Sequence, residues 1–293
     1  MKRPLWLVLA PFIFVSLWSG GFAVGKLTLR HAEPLTIIAL RYAIVLAILL
    51  PLYGLLRPAL PATRRDWAHL CFTGLCIQAG YFGLSFTAMK LGASAGSTAI
   101  IVCLQPILVG LIAPHFAGER VGLYRWAGLV LGLAGAAAVI IARSKIEAES
   151  ALSILAAVGG LLGMTIGTLW EKRFGIAYHP VTSNLVQYGV GFVACFLVAY
   201  TTETMVIDWH PELVGALVYL VIGNSLIAMS LLLAMIRAGE VSRVSALFFL
   251  VPPMSALYAF VLLGEAMPVL GWLGMAAAAA GVAIASRQPG KTP

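Results

Sequence analysis

The chain has 293 residues, 61% of them hydrophobic and only 10% charged, with a formal net charge of +8. Soluble domains carry roughly 25% charged and about 45–50% apolar residues, and a mean hydropathy of +0.98 leaves no room for a sizeable water-soluble domain. Disorder, collagen and coiled coil fail on the same figures, since each needs polar, glycine-periodic or heptad-charged sequence.

A bilayer core takes about 20 apolar residues of helix. Cutting the chain at charges and Pro/Gly clusters predicts ten spans, near 4–25, 33–56, 66–89, 93–113, 121–142, 150–170, 181–202, 213–235, 243–263 and 268–286. The first follows Met1-Lys2-Arg3 but is long and ends in Ser19-Gly20-Gly21 without a small-x-small cleavage site. It reads as a retained span, not a secretory leader. Thirteen Lys and Arg fall on the side of the N-terminus, against five (Lys26, Arg30, Lys90, Arg143, Lys145) on the other. Excess positive charge marks the cytoplasmic face. Both termini are therefore expected there, with the protein in a cell (inner or plasma) membrane.

No basic cluster is interleaved with aromatics, so nucleic acid is not an expected partner. Cys71, Cys76, Cys103 and Cys195 lie in apolar stretches, where thiols act as small hydrophobes. The five histidines sit near span ends without an i,i+4 pair. No disulfide framework, metal site or cofactor is expected. Gly20…Gly25-Lys26 imitates a P-loop, but Leu27 stands where Ser or Thr must reach a metal. Movement of a substrate would have to run on gradients.

An internal repeat organises the chain. Between 88 and 137, comparison with the residue 146 positions later needs no gap and gives thirteen identities, among them Ala88/Ala234, Met89/Met235, Pro106/Pro252, Gly118/Gly264, Glu119/Glu265, Trp126/Trp272, Gly128/Gly274 and Gly135/Gly281. Lys26/Lys172, Pro34/Pro180 and Tyr42/Tyr188 extend the register into the earlier part. The expected fold is thus an all-α polytopic membrane protein of ten transmembrane helices in two five-helix repeats, residues 1–146 and 147–293. Five is odd, so the second repeat enters the membrane from the opposite side. Inverted repeats give many secondary transporters their two access states.

Several motifs carry a family likeness: Leu17-Trp18-Ser19-Gly20-Gly21-Phe22; the Pro34…Arg41 spacing; Ala88-Met89-x-x-Gly92 leading to Pro106; and Gly118-Glu119-Arg120 before a glycine-rich span. Ala234-Met235, Pro252 and Gly264-Glu265 repeat the later ones. Together they resemble the drug/metabolite transporter superfamily in its two-repeat EamA-type branch, over essentially the whole chain. The resemblance implies an exporter of small metabolites, amino acids foremost, not an enzyme. It also implies a central cavity lined by spans one, three, four, six, eight and nine, with five and ten peripheral. Met164 stands in the place of Trp18 and Ala266 in that of Arg120, so the halves are chemically unequal.

Pro106 and Pro252, with Pro253 beside it, fall within spans four and nine at matched positions and are the expected hinges. Each frees the carbonyl four residues earlier, Val102 and Phe248, which lipid cannot satisfy. Matched interruptions of this kind point to a transport site. Helical spacing places Gln78, Tyr81, Phe82 and Ser85 on one face of span three, and Thr98, Ile101 and Gln105 on one face of span four. Asn224 is the repeat mate of Gln78. The expected substrate site is therefore Trp18, Gln78, Tyr81, Thr98, Gln105, Met164, Asn224, Phe248 and Phe249, amides for a zwitterion and rings for an apolar side chain. The same amides would serve as glue between helices.

Arg41 is the one clearly intramembrane charge. About 12 Å from the start of its helix, it reads first as a snorkelling side chain and second as a carboxylate partner or coupling element. No buried Asp or Glu is expected, hence no dedicated proton relay. Glycine stripes at Gly21/Gly25, Gly92/Gly96 and Gly159/Gly163/Gly167 suit tight packing; Gly128/Gly132/Gly135, mirrored by Gly274/Ala278/Gly281, suits span five on span ten or a dimer. A monomer suffices for the plan, with the lipid bilayer and a small-molecule substrate as partners. The alternatives are export of nucleotide sugars or drug-like cations, and a non-transporting scaffold or sensor. An intramembrane protease lacks paired mid-span Asp or Ser/His.

Overall fold

The computed structural model describes residues 5–93, 95–119, 121–143, 150–175, 178–239, 241–263 and 268–287. Among them ten helical stretches are long and apolar enough to cross a membrane: Leu9–Thr28, Pro34–Leu56, Arg64–Lys90, Thr98–Phe116, Leu123–Ala142, Ala151–Phe174, Pro180–Thr202, Pro211–Ala238, Val241–Tyr258 and Val269–Ser286, here spans one to ten. They match the ten expected segments, and no strand occurs among the described residues. Large apolar side chains such as Leu55 and Leu123, over 80% exposed, face outward as a lipid-facing perimeter requires. Arg120 and the Gly264-Glu265-Ala266 motif lie outside the described residues.

The helix ends follow local rules. Pro34, Pro180 and Pro211 open spans two, seven and eight at the first helical position, where a missing N–H costs nothing. A capping box between Thr63 and Asp66 starts span three. Span two ends on Arg57 in the left-handed region (φ 44°).

Besides a break in span one at Gly20, four spans are interrupted, in two matched pairs. Span four stops at Val102 and restarts at Gln105, so Pro106 lies in the first turn of the new helix. Span nine runs as an α-turn Val241–Ser245, a 3₁₀ segment Ala246–Leu250 and an α-helix Val251–Leu263 that begins with Pro252 and Pro253. The prolines thus follow breaks and do not bend continuous helices. The carbonyl of Phe248 is met across the break by the Cys103 thiol at 3.9 Å.

The second pair was not anticipated. Span three widens into a π-helix over Leu75–Gly83 and span eight over Tyr219–Ala228. Moved on by 146, the first covers 221–229, nearly the whole of the second. Wide turns of this kind are rare and gather at functional sites.

Packing repeats with the same register. Span one lies on span eight and span six on span three; span four meets span six as span nine meets span one; two packs on seven and five on ten. The last contact is the closest. A methyl at Gly135 would strike the backbone of Gly274 and Ala278, and one at Gly128 the backbone of Gly281 and Ala285. These small residues are consumed inside the molecule, which settles the choice between span ten and a dimer for this stripe.

Candidate functional site

Span one breaks at Gly20, between helices Leu5–Ser19 and Gly21–Thr28. Gly20 abuts the ring of Tyr219, Gly21 the amide of Asn224 and Gly25 the ring of Phe86. Only hydrogen side chains let span one approach spans eight and three so closely. A cleft remains at this junction. Trp18, Tyr81 and Phe82 form its inner wall, Gly21, Phe22, Ser85 and Phe86 its flanks, and Asn224 its polar corner. It encloses about 260 Å³ when open solvent at its mouth is counted, and its clear centre has room for about one water at most. Its span-one and span-three walls come from the C-terminal portions of those spans.

Aromatic contacts close its floor. Trp18 stacks on Tyr81 (centroids 6.1 Å apart) and meets Phe248 edge-on at 5.5 Å. Phe14 packs on both Trp18 and Phe248. Of the expected site, Trp18, Tyr81, Phe248 and Asn224 therefore come together. Met164 is buried in the same core, and Thr98 is buried on span four.

Three expected members sit elsewhere. Gln105 donates from Nε2 to Thr168 and Ser245, both at 3.2 Å, and so ties span four to spans six and nine. Phe249 is fully buried but packs against Gly132 of span five. Gln78 packs its stem on Gly191 and Tyr42 of the neighbouring spans, and neither of its amide atoms has a well-formed hydrogen bond. The π-helix is the reason. With more than four residues per turn, Gln78 rotates off the face that Tyr81, Phe82 and Ser85 share.

Arg41 corrects the snorkelling expectation. It is 1% exposed. Its Nε donates to Ser225 Oγ at 2.7 Å and its Nη2 to Asn224 Oδ1 at 3.0 Å. The guanidinium lies over the ring of Phe82, 4.6 Å from the centroid. The side chain points into the bundle, at the back of the cleft wall.

The buried-acid expectation also fails. Glu171, near the end of span six, is 1% exposed and pairs with Arg237 of span eight (Oε1–Nε 2.5 Å), which also reaches Ser183. Glu119, after span four, is buried as well, and accepts from Val241 N, Ser242 N and Ser242 Oγ at the start of span nine. Beside them Lys172 donates to the carbonyls of Ile236 and Gly239, the last turn of span eight. Sequence reasoning missed these carboxylates because both lie at span ends, where burial depends on which end packs beside them. Together they seal the end of the bundle opposite the cleft.

At the cleft's end, loops 29–33 and 203–210 are laced together. Glu203 accepts from Leu35 N, Thr36 N and Thr36 Oγ1, capping span two, and Glu33 accepts from Thr204 N and Oγ1. The Thr204 bonds hold the Glu33 carboxyl below its ordinary pKa. His31 Nε2 lies 3.2 Å from Glu212 and its Nδ1 3.4 Å from Asp208, with His210 stacked on it. Ligand-type atoms of His31, His210 and Glu212 fall within 4.8 Å of one another, a grouping of metal-binding type that chain spacing does not show.

The profile of the EamA-like transporter family matches residues 4–141 and again residues 151–287. The chain belongs to this family. Like its relatives, this EamA-like transporter is a multi-pass membrane protein that moves small molecules. An uncharacterized transporter of Bacillus subtilis, YvbV, is 24% identical over 86% of this chain and 82% of its own. A probable amino-acid metabolite efflux pump of Salmonella typhimurium is 25% identical over 93% and 92%. A solved crystal structure superposes with a TM-score of 0.79 at 23% identity, covering 96% of this chain and 97% of that one, which speaks for the fold alone.

Proposed function

We propose that this EamA-like transporter exports amino acids or closely similar metabolites across the cell membrane. It does so by alternating access of two inverted five-helix repeats, 1–146 and 147–293, with both termini in the cytoplasm. One observation supports this most directly. An aromatic cleft with a polar corner lies where spans of both halves meet, and the opposite end of the bundle is sealed by Lys172, the Glu171–Arg237 pair and Glu119. A cleft between the halves with the opposite end of the bundle sealed is what one access state of a rocking pair of repeats presents. The Salmonella relative, a probable amino-acid metabolite efflux pump, agrees in substrate class.

The alternatives place different demands on the cleft. A nucleotide-sugar carrier needs several cations for its diphosphate, and the cleft has Arg41 behind one wall. A lipophilic-cation exporter needs a carboxylate, and none lines the described wall. Counterflow into proteoliposomes decides between them. Saturable uptake of amino acids is expected, with nucleotide sugars and lipophilic cations near the protein-free level. Uptake of either of those instead would replace the substrate class, and no uptake at all would favour a scaffold or sensor.

A further inference from the structure

Arg41 is a full positive charge inside the bilayer core, and no carboxylate among the described residues forms an ion pair with it. The partners it does have, Ser225 Oγ, Asn224 Oδ1 and the Tyr188 hydroxyl, are neutral, as is the Phe82 ring beneath it. A buried charge left without a counter-ion is costly, and in membrane helices it marks a pathway or ligand site. A guanidinium carries five N–H donors in a planar fork suited to a carboxylate. Two are taken by Ser225 and Asn224 and one faces the Tyr188 hydroxyl, so at least two are left.

Two of the groups that hold Arg41, Asn224 and Phe82, are also walls of the cleft. A substrate in the cleft is therefore one side chain away from the guanidinium. The symmetry of the fold sharpens the point: the repeat mate of Arg41 is the neutral Gln187, so the centre has this cation on one side only. Around the rest of the cleft stand Trp18, Phe22, Tyr81, Phe82 and Phe86, with no acidic side chain. An α-ammonium group would find ring faces and a hydroxyl there, but no counter-charge.

We infer that Arg41 is the carboxylate anchor of the transport site, and that the substrate is recognised as an apolar or aromatic monocarboxylate whether or not it carries an α-amino group. This rests on the export reading above and deepens it: amino acids are accepted because they are carboxylates, and the matching 2-hydroxy and N-acyl acids are accepted with them. The substrate's carboxylate supplies the charge that Arg41 lacks, and Asn224 and Ser225 hold the fork in place before it arrives.

The test uses the full chain in proteoliposomes and four probes of one shape: phenylalanine, 3-phenyllactate, N-acetylphenylalanine and phenylalaninol. Protein-dependent counterflow is expected for the three acids, with KM values within about an order of magnitude of each other, and none for phenylalaninol. Each acid should also raise the unfolding temperature of the wild-type protein in detergent, which needs no variant and no flux. Arg41→Gln should raise KM for every acid by a factor on the order of ten or more, and Arg41→Lys should recover part of that loss. Counterflow of phenylalaninol equal to that of phenylalanine, or an Arg41→Gln protein with unchanged KM, overturns the anchor and leaves the export reading standing. If no probe is moved and none stabilises the fold, the anchor and the amino-acid reading fall together.

Discussion

Tyr42 of span two and Tyr188 of span seven, 146 residues apart, meet edge to face in the middle of the bundle with ring centroids 5.1 Å apart. Each hydroxyl donates to a backbone carbonyl of the π-helical segment beside it, Tyr42 to Gln78 at 2.9 Å and Tyr188 to Ser225 at 2.8 Å. A π-turn shifts the backbone ladder and leaves a carbonyl seeking a donor. In a bilayer that donor has to come from the protein. The tyrosine pair thus explains how two rare helical distortions are tolerated, and it marks the point about which the halves correspond.

Replacing Tyr42 by Phe keeps the ring contact and removes one donor from a buried carbonyl. The expected cost is about 1–3 kcal/mol, read as a lower unfolding temperature in detergent. Tyr188→Phe should cost a similar amount. Because the rings touch, the double variant should differ from the sum of the two. Unchanged stability in both single variants would show that the π-segments find other donors.

The glycine stripe of spans five and ten makes a second prediction with its own control. Gly135→Ala places a methyl against the backbone of Gly274 and Ala278, which cannot yield as a side chain end would. Overpacking of this kind costs typically about 1–3 kcal/mol. Gly54→Ala in span two meets nothing within 4 Å, and gains about 0.5–1 kcal/mol from helix propensity. Opposite signs of the two shifts in unfolding temperature are the expected result, and matching signs would refute the packing account.

The number, length and order of the spans were legible because hydropathy reports directly on burial in lipid, and matched prolines marked the breaks in spans four and nine. The π-turns were not. Nothing in Leu75–Gly83 distinguishes a 3.6-residue period from a wider one, so helical spacing puts Gln78 on the face of Tyr81. The inward turn of Arg41 is hidden for a different reason. Whether a long side chain snorkels or turns inward depends on what faces it, and Asn224 and Ser225 lie more than 180 residues away. Glu171 and His31 share that difficulty, since their partners Arg237, Asp208 and Glu212 belong to the far half of the chain or to another span.

Glu33 gives a pH prediction. Bonds from Thr204 lower its pKa from the ordinary 4.5. A carboxylate with a depressed pKa in the folded state contributes stability above the unfolded value, and loses it as the pH falls through the folded one. The gap in unfolding temperature between wild type and Glu33→Gln should be constant across neutral pH and close only below about pH 4. A gap that closes between pH 6 and 7 would assign the effect to another group.

Lys26 and Lys172 occupy matched repeat positions in different states. Lys172 is tied to the carbonyls of Ile236 and Gly239 at the end of span eight, and Lys26 is exposed at the end of span one. If the halves are inverted copies that exchange conformations, the opposite access state has Lys172 released and Lys26 capping the end of span three, near the carbonyls of Lys90 and Ala93. Those are the residues 146 positions before Ile236 and Gly239. Removing the Lys172 contacts by Lys172→Met should weaken the present seal and shift the population toward that state, by an amount set by the two lost charge-assisted bonds. Spin labels placed at positions 27 and 92 report the closure as a shortened distance, and labels at 173 and 238 report the opening as a lengthened one. Opposite changes at the two ends are expected. A variant in which both distances stay fixed, or lengthen together, would mean that the ends open independently and that the two lysines do not share one alternating motion.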